Sequence, residues 1–183
     1  MARIAVVTGG CRSGKSAYAL AMGELLPSRR AYVATCPVTD EEMQRRVEAH
    51  RQARCERGWL TIEEQLDLAG IFRCHAEYNV LLVDCVTLWV NNLLHHAVLE
   101  GRQTNEVEIA HKCREVLDAS QACRGVVIFV TNEVGMGIVP ENAQARHYRD
   151  LLGRANQVLA ASADSVILMV CGVPWHLKEA RRP

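Results

Sequence analysis

The sequence predicts an α/β fold, a mostly parallel β-sheet flanked by helices and forming a single domain over residues 1–183. Short runs rich in valine, isoleucine and leucine recur along the chain, helix-like segments separate them, and a glycine-rich turn joins the first run to the first helical segment. Each run is apolar at nearly every position instead of alternating, which is how a strand covered on both faces reads. Strand and helix taking turns in this way argues for a parallel sheet wrapped by helices.

The first strand is expected at Arg3 to Thr8 and the first helix at Gly14 to Leu26. A second strand, Ala31 to Thr35, leads to a helix at Asp40 to Arg54, with Thr39 or Asp40 as its cap and acids in its first turn. Residues 55–78 are the least regular stretch, with Trp59 and a weak helical pattern from Glu63 onward. A strand at Asn79 to Cys85 and a helix at Leu88 to Leu99 follow. The polar segment Glu100 to Asn105 reads as a surface loop, from which Thr104 or Asn105 caps a helix at Glu106 to Ala122. The strand Gly125 to Thr131, a helix at Ala143 to Ala161 and a last strand at Ser165 to Cys171 complete the pattern, without internal repeat or low-complexity tract.

At 183 residues the chain can bury a core without disulfides or a structural metal. Its 21 basic and 21 acidic residues cancel, so no whole-molecule field draws it to nucleic acid or anionic lipid. Bound anions must be held by local chemistry. The 8 cysteines contain no C-x-x-C pair and do not bracket short loops, so they are expected as reduced thiols, with Cys36, Cys85 and Cys171 acting as small hydrophobes. No basic-then-apolar leader and no bilayer-length run is present, which leads to the expectation of a cytoplasmic protein with no membrane span.

The turn after the first strand, Gly9-Gly10-Cys11-Arg12-Ser13-Gly14-Lys15-Ser16, fits G-x-x-x-x-G-K-S/T with a strand before it and a helix after it. Glycines let successive backbone N–H groups point inward, and the helix presents its positive end to the same spot. Lys15 is then expected on the β- and γ-phosphates and the Ser16 hydroxyl on Mg²⁺. This is a P-loop, and with the alternating elements it predicts a P-loop NTPase fold. Val80-Leu81-Leu82-Val83 buries a strand that delivers Asp84 to its C-terminal end. Asp84 can hold the metal through water, contact the nucleotide, or cap the next helix.

Regulatory GTPases need D-x-x-G and N-K-x-D, whereas Asp84 is followed by Cys85-Val86-Thr87 and Asn132 by Glu133-Val134-Gly135. Helicases and recombinases need basic surfaces, which a neutral chain does not advertise. The open readings are a small-molecule kinase of one or more activities and a nucleotide-gated binding protein. Met43, Val47, His50 and Arg54 share one face of the second helix, apolar at its start and ending in an imidazole and a guanidinium. Such a stripe packs its first half on the domain and turns its second half to an anion. A neutral imidazole beside arginines can attack phosphorus while the guanidiniums clamp the oxygens; a partly buried histidine at a helix end is the plainer alternative. A second segment, Thr131 to Asn142, leaves the C-terminal end of a strand, and its glycines, proline and Met-Ile-Val set suit either a large apolar substrate or another subunit.

The blocks T-G-G-x-R-S-G-K-S, Y-V-A-T, D-E-E-M-x-x-R-V-x-x-H-R, L-L-V-D-C-V-T-L-W-V-N-N-L-L and T-N-E-V-G-M-G-I-V-P-E-N-x-x-A-R-x-Y-R-D-x-L-G-R-x-N-Q occur in this order between Thr8 and Gln157, within a likeness that runs from Ile4 to about Lys178. Together they closely resemble the adenosylcobinamide kinase / adenosylcobinamide-phosphate guanylyltransferase family. The resemblance implies phosphorylation of the adenosylcobinamide hydroxyl by ATP or GTP, then transfer of GMP from GTP through a guanylyl-histidine. The family's histidine matches His50. Its GTP contacts match Gly9 to Ser16, Thr35, Cys36 and Pro37, then Arg51, Gln52, Ala53 and Arg54, with Glu63 and Asp84, and Ser16 and Asp84 are the implied Mg²⁺ ligands. A propeller-like homotrimer is implied as well. Cys11 and Cys36 stand where alanine or serine is more usual in the family.

Overall fold

The computed structural model describes residues 2–26, 29–37 and 41–179, apart from the side chains of Glu42, Met43 and Arg46. Along the chain run β1 (Arg3–Gly9), α1 (Lys15–Glu24), β2 (Arg30–Ala34), α2 (Glu41–Glu56), β3 (Trp59–Glu63), α3 (Leu68–Cys74) and β4 (Val80–Asp84). They are followed by α4 (Val86–Leu99), α5 (Glu106–Ser120), β5 (Val126–Val130), a 3-10 turn (Val134–Met136), α6 (Ala143–Ser162), β6 (Ser165–Val170) and β7 (Val173–Lys178). All strands join one sheet in the order β3-β2-β4-β5-β1-β6-β7, parallel except for β7, which runs antiparallel to β6.

Period-two side-chain alternation divides the core between the two faces of this sheet. Ile4, Val6, Leu81, Val83, Val127 and Phe129 pack with α3, α4, α5 and α6 on one face. Ala5, Val7, Tyr32, Val80, Leu82, Ile128 and Val130 pack on the other, against Ala19 of α1. Burial on both faces is why β1, β4 and β5 read as continuous apolar runs.

The helix starts follow from local chemistry. Asn105, not Thr104, caps α5, its side chain accepting from the Val107 and Glu108 amides, with Glu106 and Glu108 adding negative charge to the first turn. Asn142 caps α6 through the Ala145 amide, and Asp67 caps α3 through the Gly70 amide. The cap expected of Thr39 or Asp40 for α2 lies outside the described residues.

Two elements depart from the expected pattern. Residues 55–78 hold an edge strand, β3, as well as a short helix. Trp59 is buried on β3 but Leu60 beside it is exposed, so this strand lacks the all-apolar signature of the interior ones. The hairpin strand β7 is exposed along its whole length and is held through main-chain pairing to β6. At the turn between them Cys171 is exposed, not packed as a small hydrophobe, whereas Cys85 is buried as expected. All eight cysteines are free thiols.

Gly125 supplies a stability prediction. A Cβ there would lie 1.9 Å from the Asn79 carbonyl oxygen, which accepts from the Val126 amide at 2.8 Å where β4 and β5 begin. The obstacle is backbone, so Gly125→Ala must spread the two strands. The expected loss is about 2–3 kcal/mol, read as a fall in Tm of about 5–10 °C; a Tm within 1 °C or so of wild type would show that the sheet absorbs the methyl group.

Candidate active site

The chain leaves β1 in the middle of the sheet and crosses past β5 and β4 to reach β2, so the strand order reverses beside β1. In open α/β sheets ligands bind at such a point, outside the carboxyl ends of the strands. The glycine-rich turn lies there. Gly9 has φ 147° and a Cβ on it would meet the Met169 carbonyl oxygen at 2.4 Å, so a side chain is excluded by both conformation and space. Gly14, with φ 92°, opens α1 without any side-chain cap on the first amides. These are the amides that a helix N-terminus offers to an anion.

Lys15 is buried at 8% exposure, and its Nζ donates to the Gly10 carbonyl at 2.6 Å across the turn. Burial lowers its pKa from the usual lysine value, while Asp84 opposes the shift. A phosphate oxygen can replace Gly10 as the acceptor, with a gain from the charge already buried there.

Beside the turn opens a cleft of about 500 Å³ lined by Ser16, Cys36, His50, Ala53, Arg54, Glu63 and Asp84, together with Ala17, Leu20, Tyr32, Ala34, Val47 and Arg57. The start of α1, the ends of β2, β3 and β4 and the inner face of α2 thus converge on one space. The Tyr32 hydroxyl donates to Asp84 Oδ2 at 2.8 Å. Burial first, and then the neighbouring carboxylate, raise the phenol's pKa, so it remains a donor and fixes the carboxylate. The helix-cap alternative for Asp84 is not realised, because Cys85 is the residue that precedes α4.

On α2, His50 is exposed to the cleft and sits six positions before the helix end, which removes the reading of a buried histidine at a terminus. The expected division of the stripe is corrected at Arg54. It is buried, its guanidinium lies 4.0 Å over the Tyr32 ring, and its Nε donates to Thr61 Oγ1 at 3.3 Å. The C-terminal half of α2 therefore anchors on the sheet as well as bordering the cleft. A desolvated cation over a ring of this kind is worth about 1–2 kcal/mol.

The other expected contacts divide by geometry. Thr35 is fully buried, its hydroxyl donating to the Cys85 carbonyl and accepting from the Cys85 amide, each at 2.8 Å, so its side chain ties β2 to β4. Arg51 faces Glu63 at 3.9 Å, both well exposed. Gln52 donates to Glu56 on the helix exterior, and Pro37 is half-buried outside the cleft lining. Arg12, Ser13, Gly14, Lys15 and Ser16 line a separate hollow over the turn itself.

Tyr32 and Arg57 were not expected at the site. Strand alternation contains the signal for the first, since Tyr32, Ala34 and Cys36 share a face and all border the cleft. Arg57 lies just past α2, seven residues beyond His50, and pairs with Glu24 at 2.6 Å. Cys36 and His50 both border the cleft, together with the Ser16 and Tyr32 hydroxyls and the Glu63 and Asp84 carboxylates. Burial and then Asp84 raise the Cys36 pKa, so it remains a thiol and a poor nucleophile. Of the thiol and the imidazole, the imidazole is the one exposed in the cleft and better placed to attack.

A curated relative from Escherichia coli (strain K12), the bifunctional adenosylcobalamin biosynthesis protein CobU, is 43% identical, the match covering 94% of this chain and 98% of that protein. The proteins of the same name from Salmonella typhimurium (strain LT2) and named CobP from Pseudomonas aeruginosa (strain PAO1) are 39% and 38% identical, each again covering 94% of this chain. Among solved structures, the flagellar accessory protein FlaH from Methanocaldococcus jannaschii superposes with TM-score 0.55 at 13% identity, over 97% of this chain and 78% of that one. An ATPase from a bacterial type III secretion system gives TM-score 0.56 at 11% identity, over 91% and 50%. At such identities these two speak to the fold alone, which is that of P-loop NTPases. The family model described as cobinamide kinase / cobinamide phosphate guanyltransferase matches residues 5–177, and the chain is a member of that family.

Proposed function

We propose that this enzyme phosphorylates adenosylcobinamide with ATP or GTP and then transfers GMP from GTP to the product through a guanylyl-histidine on His50, giving adenosylcobinamide-GDP and pyrophosphate. The observation that carries the reading is that an exposed imidazole, the first residues of α1 and a fixed carboxylate border one cleft beside a P-loop. In the guanylyl step a His50 ring nitrogen forms a bond to the α-phosphorus, and the bond to the β-phosphate oxygen breaks, releasing pyrophosphate. The acceptor's phosphate oxygen then displaces the imidazole, which restores the neutral histidine. Dividing one hard transfer into two easier ones is what a covalent intermediate accomplishes.

Lys15 and the amides at the start of α1 bind the phosphates in both reactions, and Arg54 and Arg57 add positive charge at the cleft wall. Arg51, Gln52, Ala53, Glu63, Thr35, Cys36 and Pro37 complete the proposed nucleotide surroundings, Thr35 by positioning the β2 end. Ser16 and Asp84 present oxygen donors to the same cleft, the donor class that suits Mg²⁺. They would hold the ion, which when bound offsets charge on the triphosphate. A homotrimer working in the cytoplasm belongs to the same proposal; among the described residues no helix is long and apolar enough to cross a membrane.

The test is to supply the full chain with Mg²⁺, α-labelled GTP and adenosylcobinamide phosphate. The expected result is pyrophosphate release, with acid-labile, base-stable label on the protein that chases into the corrinoid product. An absence of pyrophosphate release overturns the proposal.

A further inference from the structure

Glu133 is used by nothing in the mechanism above, yet a buried polar network is built around it. It follows β5, the strand between the P-loop strand and the Asp84 strand, and its amide donates to the Gly9 carbonyl at 3.3 Å. Its Oε1 accepts from the Thr8 hydroxyl at 2.8 Å and from Asn156 Nδ2 at 3.2 Å. Asn156 is itself locked, its Nδ2 also donating to the Asn132 carbonyl and its Oδ1 accepting from the Thr131 hydroxyl at 2.7 Å. Thr8, Thr131 and Asn156 are all buried. Oε2 has no hydrogen-bond donor among the described residues, and Glu133 is partly exposed.

Strand alternation puts the two carboxylates flanking the P-loop on opposite faces of the sheet. Asp84 continues the face of Val80 and Leu82, with Tyr32 and the His50 cleft. Glu133 continues the face of Val127 and Phe129, on the α6 side. A brace for the turn needs one hydrogen bond, which an uncharged side chain supplies. Burying three polar residues to orient a carboxylate, with one oxygen left unbonded, suits a group that must meet a substrate proton.

We propose that Glu133 receives the acceptor hydroxyl in the kinase step, orienting it and removing its proton; this rests on the function proposed above. The hydroxyl oxygen forms a bond to the γ-phosphorus. The bond from that phosphorus to the β–γ bridging oxygen breaks, its electron pair leaving with the nucleoside diphosphate. The proton passes to the Glu133 carboxylate and from there to water. The acceptor alcohol accordingly approaches from the α6 side of the P-loop, and the cleft on the other face stays with the nucleotide and His50.

The experiment compares wild type and Glu133→Gln, both as full chains, in the two half-reactions. The amide side chain keeps the shape and can still accept from Thr8. The kinase kcat with adenosylcobinamide should fall about 10²-fold or more, with KM changed only a few-fold. His50 labelling by α-labelled GTP and GMP transfer to preformed adenosylcobinamide phosphate should stay within about twofold, which also serves as the folding control. Glu133→Asp, which keeps a carboxylate, should recover part of the kinase rate. Kinase turnover in Glu133→Gln within about threefold of wild type overturns the assignment, as does a parallel loss of both half-reactions, which would make Glu133 a brace. If wild type performs neither half-reaction, the underlying function fails instead; wild-type activity with an unimpaired Gln variant removes this assignment alone.

Discussion

Lys15→Ala should lower both half-reactions by about 10²–10³-fold, the cost of removing one preorganised charge from the phosphates in the transition state. The ammonium is already buried and bonded to Gly10 before any nucleotide arrives, so it needs little reorganisation to meet one. No other lysine can substitute: Lys112 pairs with Glu115 on α5, and Lys178 donates to the Ala160 and Ala161 carbonyls. Steady-state kcat/KM for phosphorylation of adenosylcobinamide, and pyrophosphate release from GTP measured separately, check the prediction. If either stays at the wild-type rate, the two reactions do not share the P-loop.

His50→Asn should act on one half-reaction. With no nucleophile, labelling by α-labelled GTP and GMP transfer should drop by about 10³-fold or more, since the side chain makes and breaks the covalent bond itself. Phosphorylation of adenosylcobinamide should remain within about tenfold of wild type, because γ-phosphoryl transfer is direct and the variant leaves the P-loop, Lys15 and Asp84 in place. Asparagine keeps hydrogen-bonding capacity and does not disturb the Arg54 anchor. Stoichiometric labelling of the variant would move the covalent site elsewhere, and Cys36 would be the next residue to replace.

Much of this is legible in the sequence, for reasons that differ between elements. The interior strands were readable because both faces are buried, so Val80-Leu81-Leu82-Val83 has no polar interruption. The glycine-rich turn was readable because its backbone demands Gly9 and Gly14 by conformation. β3 and β7 were not, since an edge strand is specified by main-chain pairing and mixes buried with exposed positions. The helical spacing of His50 with Val47 and Arg54 identified the face of α2 that borders the cleft. It could not tell that Arg54 would spend its guanidinium on Tyr32, because that contact joins segments whose separation no local period encodes. Glu133 was hidden for a related reason: its partners Thr8 and Asn156 lie 125 and 23 positions away.

The P-loop also leans on the far end of the chain. The Gly172 amide donates to the Ser13 carbonyl at 3.0 Å, and a Cβ on Gly14 would sit 3.4 Å from the Gly172 Cα. The Met169 carbonyl closes the space beside Gly9. A nascent polypeptide that has emitted its N-terminal glycines therefore has only an unfinished anion pocket, and the walls arrive with the closing hairpin. The shape of the anion pocket thus depends on β6 and the hairpin turn as much as on the glycine-rich turn itself.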